Sequence, residues 1–352
     1  MRHDGSDSDR REFLQRAAAG TAGTAAFAAL AAAAAAPGEP APEGGAAPAA
    51  ADNEGVAGKI RGPLIPIQPV FAEDESLDVA STCEWVDWLV GEGVPLFWTT
   101  QGTTCYFYLS DEEIAELNRS VTQVTRGRAL MIAGIPFRAS TRQSIQFAES
   151  AAEWGADVVM VQTNWSEKPD PAAALRHFQA LAEASPLPLF AYSLSSWPSD
   201  FLEKILDLPQ YVGMKNDGGD YEAQSAILNA ARRRGRAFVP MTGGEVRPYL
   251  YGRLFGAQAF ADLVTCGIAP RAILDFARYA DAGDFPRAVE IVRKYEEPLV
   301  TAFTPLGIHA AFRAARWLKG KASSYQSRFP LPTLDATGVA AVEKTLRQSG
   351  LL

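Results

Sequence analysis

The lysine that closes the apolar run Tyr211-Val212-Gly213-Met214-Lys215 is the residue best suited to chemistry in this chain. Burial at the end of an apolar strand disfavours the ammonium and lowers its pKa toward the neutral amine, the form that attacks a carbonyl carbon. The plainer alternative is a lysine at the rim of the fold, in water or paired with Asp217. Tyr192 closes a second such run, Leu187-Pro188-Leu189-Phe190-Ala191-Tyr192. A phenol beside that lysine could move a proton onto or off a carbinolamine, although an aromatic at a strand end is as often simple core packing. A third element, Gln101-Gly102-Thr103-Thr104-Cys105, offers hydroxyls and backbone N–H groups ahead of a helix, a seat for a carboxylate. Helix capping explains the threonine pair equally well.

The elements that would position these residues are strands alternating with helices. Runs rich in β-branched and aromatic residues are predicted at Leu64–Phe71, Val94–Thr99, Ala129–Ile135, Asp157–Thr163, Leu187–Leu194, Tyr211–Lys215, Ala237–Thr242 and Ala257–Val264. Helical patterns fall between them, for instance Asp78–Glu92, Asp111–Arg126, Thr141–Trp154 and Ala172–Ala184. Two of these open on capping boxes, Ser110 with Glu113 and Ser140 with Gln143. Eight such units without a glycine-rich nucleotide loop predict an α/β fold of the (β/α)8 (TIM) barrel type, in which chemistry sits at the C-terminal ends of the strands. Pro270–Ala282, Phe285–Val300, Leu306–Lys319 and Thr337–Gln348 read as further helices, so the barrel is placed at 59–282 and a C-terminal helical extension at 283–352.

The first residues carry a different message. Arg10-Arg11-Glu12-Phe13-Leu14 sets paired arginines before an uncharged, alanine-rich stretch, Ala17 to Ala36, which resembles a twin-arginine export signal over 1–36. Alanine contributes little transfer free energy, so a cleavable signal is the better reading than a permanent span. Residues 37–58 are Ala, Pro, Gly and Glu with almost no large apolar side chain, the make-up of a linker.

Composition narrows the function further. Of 352 residues, 47% are hydrophobic and 21% charged, enough to bury a large core. A net charge of −8 argues against a nucleic-acid partner, and the run Arg232-Arg233-Arg234 before Gly235 reads as a helix C-terminus. The three cysteines (Cys83, Cys105, Cys266) and three histidines (His3, His177, His309) show no metal-ligand spacing, so neither a metal nor a cofactor is expected.

Taken in this order, several segments resemble the family of dihydrodipicolinate synthase and N-acetylneuraminate lyase, from about Arg61 to Leu334. They are Pro66–Phe71, Gly102-Thr103-Thr104 followed by Leu109-Ser110, the Tyr192 strand end, Val212-Gly213-Met214-Lys215, and Arg328-Phe329-Pro330-Leu331-Pro332. The resemblance implies a barrel with C-terminal helices, a Schiff-base lysine at Lys215, a proton shuttle at Tyr192 and a 2-oxo acid carboxylate seat at Thr103 and Thr104. It also implies a homotetramer or homodimer. Gly243 matches the glycine that follows the seventh strand.

The departures concern the second substrate. Cys105-Tyr106 stands where the family has Gly-Glu, and Cys105 is either a small residue in a glycine position or a reactive thiol. Asn164-Trp165 replaces a tyrosine pair, Ser193-Leu194-Ser195-Ser196-Trp197-Pro198 lacks an arginine, and Asp262 replaces a small hydroxyl residue in the eighth strand. Trp165, Trp197 and Asp262 are therefore expected to line a remade pocket. The implied activity is a Schiff-base lyase or aldolase acting on a 2-oxo acid, pyruvate-type or a 2-keto-3-deoxy sugar acid, and not a true dihydrodipicolinate synthase. A dehydratase on the same lysine, or a non-catalytic exported binding protein for such acids, are the alternatives. The expected partner is a small molecule, with no nucleic acid and no membrane span in the mature, exported protein.

Overall fold

The computed structural model describes residues 53–100, 105–136, 140–162, 170–192, 197, 199–217 and 220–352. Eight parallel strands close into a barrel: β1 (Gly62–Pro66), β2 (Leu96–Thr99), β3 (Leu130–Gly134), β4 (Val158–Gln162), β5 (Leu189–Tyr192), β6 (Tyr211–Asn216), β7 (Val239–Thr242) and β8 (Ala259–Ala261). β1 pairs with both β2 and β8, so the sheet has no free edge. Helices fill the crossovers, and the fold is the expected (β/α)8 barrel with added C-terminal helices.

Side-chain alternation along the strands divides the core in two. Leu96 and Trp98 of β2 join Leu64, Ile132, Met160, Phe190, Val212 and Met241 inside the barrel, while Phe97 between them belongs to the layer packed under the helices. Both capping boxes form: Ser110 and Ser140 accept from the N–H of Glu113 and Gln143, whose side chains accept in return from the cap N–H groups. Each satisfies two N–H groups that a helix start would otherwise leave without partners.

Strand ends differ from expectation by a few residues, the eighth strand stopping at Ala261 so that Asp262 follows it, and three segments differ by more. The first strand stops at Pro66 instead of Phe71; Val70–Phe71 turns away to pair antiparallel with Leu77–Asp78, because Pro66 and Pro69 lack the N–H a ladder needs. The stretch read as linker is already helical from Asn53, where Asn53–Lys59 sets Ala57 and Ile60 into the inner core and Asn53 Nδ2 donates to Pro209 O at 3.0 Å, just before β6. The helix expected over Phe285–Val300 is interrupted by a wide π turn at Val292–Glu296, which buries Glu296 completely. Such turns insert a residue into a helix and re-aim a side chain. Among the described residues, no helix is long and apolar enough to cross a membrane.

Candidate active site

Lys215 and Tyr192 are directly paired across β6 and β5. Their alignment depends on an irregularity lower in the same ladder, where Leu189 faces Tyr211 but Phe190 faces Gly213. A Cβ at Gly213 would overlap the Phe190 ring, so glycine there lets the two strands close around that ring. Lys215 Nζ lies 4.6 Å from the centre of the Tyr192 ring and 5.5 Å from that of Trp98. The two rings are themselves 5.6 Å apart at 57°. An ammonium gains cation–π attraction in that cleft, and its residue is only 4% exposed. Burial pulls the Lys215 pKa below the usual lysine value, and the Asp217 carboxylate, in contact with Nζ, pushes it part of the way back.

Gly243 sits against this pair. A Cβ there would overlap both Asp217 Oδ1 and Lys215 Nζ, so the glycine that follows the seventh strand is required by close approach. Around them opens a cavity of about 390 Å³ whose walls include Trp98, Tyr192, Lys215, Asp217, Asp262 and His309. Asp262 follows β8 and accepts from the N–H of Cys266 at 2.6 Å and of Thr265 at 3.3 Å. Burial, reinforced by the nearby charge of Glu296, pushes its carboxyl up to about 7. Glu296 is likewise raised to about 7, chiefly by burial, although its Oε1 accepts from the N–H of Val246 and Arg247. Burial also lowers the pKa of His309, with Arg313 adding to the effect.

Thr103, Thr104 and Trp165 lie outside the described residues, but Thr100 and Cys105, which flank the first two, are described. Thr100 adopts φ +56° and its hydroxyl accepts from Asn118 Nδ2 at 2.8 Å. Cys105 adopts φ +63°, the left-handed region that glycine favours, so this cysteine does fill a glycine position. Its thiol is buried against Arg313 and Gln68, and desolvation pushes its pKa up, away from a reactive thiolate.

The sequence-derived set is thus partly assembled: Lys215, Tyr192 and Asp262 line one cavity, and Gly243 packs against the Lys215–Asp217 contact. Trp197 does not join them. It stacks on Phe201, ring centres 4.4 Å apart, in the layer under the helices, and the aromatic wall of the cavity comes from Trp98 instead. Trp98 was accessible from the two-residue alternation of β2. Asp217 was visible as a neighbour of Lys215 but not as a wall of the site. Glu245 and His309 carried no local signal, because a loop and a C-terminal helix bring them in from distant parts of the chain.

Comparison with known proteins bears on the family and on the fold. Residues 59–349 match the model of the dihydrodipicolinate synthetase family. A 4-hydroxy-tetrahydrodipicolinate synthase of Corynebacterium aurimucosum is 31% identical over 287 residues, 80% of this chain and 92% of that protein. One of Anaeromyxobacter sp. is 28% identical over 288 residues, 79% of this chain and 94% of its own. Among solved structures, the dihydrodipicolinate synthase of Thermotoga maritima superposes with a TM-score of 0.74 at 22% identity, over 84% of this chain and 100% of that one. A structure described as the first monomeric dihydrodipicolinate synthase variant has the same TM-score, 0.74, at 21% identity, over 84% of this chain and 98% of its own.

Proposed function

Because this chain belongs to the dihydrodipicolinate synthetase family, we propose that it is a Schiff-base lyase that cleaves or forms a bond in a 2-oxo acid, and that its substrate is not that of the synthases. The observation that carries this reading is Lys215 Nζ, buried at a strand end between the Tyr192 and Trp98 rings and open to a cavity. The amine attacks the 2-oxo carbon, and the iminium it forms draws electrons from the adjacent carbon. Tyr192 moves the proton of the bond-making or bond-breaking step that follows, and Thr103 and Thr104 seat the carboxylate. The test is borohydride trapping with a panel of 2-oxo acids, read by intact mass. The adduct should appear on the native enzyme and vanish in Lys215→Ala, and an adduct surviving in that variant would sink the reading.

The second substrate is expected to be neutral or hydroxylated. Asp217, Glu245 and Asp262 all line the cavity, and acidic walls disfavour an aldehyde that carries its own carboxylate. Asp262 also supports a dehydratase as the second reading, since a carboxyl held near 7 can protonate a departing hydroxyl at neutral pH.

Two further expectations belong to the same proposal. The protein is exported through the twin-arginine route. It also assembles as a homotetramer or homodimer, which would cover the exposed Phe107, Tyr251, Leu254 and Phe255; sedimentation as a monomer at micromolar concentration would contradict the latter.

A further inference from the structure

Asp217 Oδ1 touches Lys215 Nζ. The two side chains differ in access: that of Lys215 is 5% exposed and that of Asp217 30%. The lysine therefore meets solvent and ligand largely beside the carboxylate, and both residues are walls of the cavity. The intervening Asn216 points elsewhere, donating Nδ2 to Asp220 O at 3.0 Å, as expected of alternate residues on a strand. From the opposite side, the Gly243 backbone closes on the pair so tightly that a single methyl group would overlap both partners, and Gly243 N donates to Asn216 O at 3.2 Å. The contact is thus enclosed by backbone on one flank and by the Tyr192 and Trp98 rings on another. Among the described residues, the remaining titratable groups that line the cavity are Glu245 after β7, Asp262 after β8 and His309 on the helix Ile308–Leu318.

We propose that Asp217 is a catalytic residue of the Schiff-base step, taking the proton that Lys215 must lose and then standing beside the nitrogen as counter-ion of the iminium. The inference rests on Lys215 being the Schiff-base lysine. In the resting pair the lysine is an ammonium and Asp217 a carboxylate. One N–H proton passes to Asp217, and the freed lone pair attacks the 2-oxo carbon, forming the C–N bond as the C=O π bond opens. A second N–H proton moves to the carbonyl oxygen, giving a neutral carbinolamine. Asp217 returns its proton to that hydroxyl, which leaves as water while the nitrogen lone pair closes the C=N bond. The sum is ammonium plus ketone to protonated imine plus water, with Asp217 again a carboxylate and no oxidant or reductant required. A partly dry site strengthens this role, since water is a poor competitor for the proton there and the iminium needs a nearby anion.

The test is the pH dependence of adduct formation with pyruvate, trapped with borohydride and read by intact mass, in the native enzyme, Asp217→Asn and Asp217→Glu. In Asp217→Asn the buried ammonium loses its anion, so the acid limb of the profile should move to lower pH, and the maximal rate should fall by roughly 10²-fold or more for want of a proton carrier. Asp217→Glu should sit nearer the native profile. An Asp217→Asn rate that falls with the acid limb unmoved, or an unchanged profile, overturns the proposal. Should the asparagine variant not fold, Asp217→Ala is assayed with added formate as a mobile proton acceptor: a rate rising with formate supports the proposal, and no response overturns it. The native enzyme separates the two readings. No trapped adduct at Lys215 removes the Schiff-base reading and this inference with it, whereas a normal native adduct with an indifferent Asp217→Asn removes this inference alone.

Discussion

The ring of Tyr192 stands 4.6 Å from Lys215 Nζ, directly across the ladder between two strands. A ring so placed does two jobs, attracting the cation through its face and offering a hydroxyl for proton transfer. Tyr192→Phe keeps the first and removes the second. Turnover should therefore slow by roughly 10²–10⁴, while Lys215 can still be trapped with a 2-oxo acid. Equal turnover in the two enzymes would remove Tyr192 from the chemistry.

Gly243→Ala introduces a methyl group where Asp217 Oδ1 and Lys215 Nζ meet. Misplacing a reacting group by about 1 Å can cost 10²-fold, so kcat/KM should fall by roughly that factor or more. The loop lies outside the strands, and the melting temperature should hardly change. A fully active alanine variant would mean that the Lys215–Asp217 contact is dispensable.

Asp262 and Glu296 are both pushed up to about 7, from ordinary values of 3.8 and 4.5. Between those limits the folded protein holds protons that the unfolded chain has released. Stability must then fall as pH rises from about 4 to about 7, with the full penalty present above that window, on the order of a few kcal/mol for the pair. Asp262→Asn should raise the melting temperature more at pH 8 than at pH 5. Thermal melts across that range decide the point: a native and a variant protein with parallel pH profiles would rule out Asp262 as a source of the slope.

Pyruvate with aspartate semialdehyde should be a poor substrate pair. The semialdehyde brings a carboxylate into a cavity walled by Asp217, Glu245 and Asp262. With the Lys215 cation already paired with Asp217, a second carboxylate beside Glu245 and the Asp262 carboxyl finds no cation among the described residues of these walls, which predicts kcat/KM at least about 10²-fold below that for cleavage of a 2-keto-3-deoxy sugar acid or an arylidene pyruvate. If the semialdehyde instead proved the better substrate by about tenfold, the charge argument would be wrong.

Export should depend on Arg10 and Arg11. Their replacement by lysine keeps the charge but removes the planar guanidinium fork, so precursor should accumulate in the cytoplasm. Fractionation with the same yield of mature protein outside the cell would refute the signal.

Much of the barrel and the centre of its site could be read from the chain alone. Helix caps such as Ser110 with Glu113 and Ser140 with Gln143 are made within four residues, and the two-residue alternation of Leu96, Phe97 and Trp98 is complete within one strand. Lys215 and Tyr192 were legible for the same reason, as polar residues ending apolar runs. What lay beyond reach were relationships set by closure and register. The shift between Leu189 and Phe190 decides that Tyr192 faces Lys215, and it shows in no local pattern. Trp197 was expected in the pocket, but it stacks on Phe201 in the layer under the helices, while Trp98 takes the wall. His309 and Glu296 reach the region around Asp262 only because the C-terminal helices fold back over the barrel, with a π turn aiming Glu296 inward. Short-range hydrogen bonds and side-chain periodicity are local properties of the sequence, whereas the meeting of side chains across a barrel is fixed by the packing of the whole chain, which no single segment specifies.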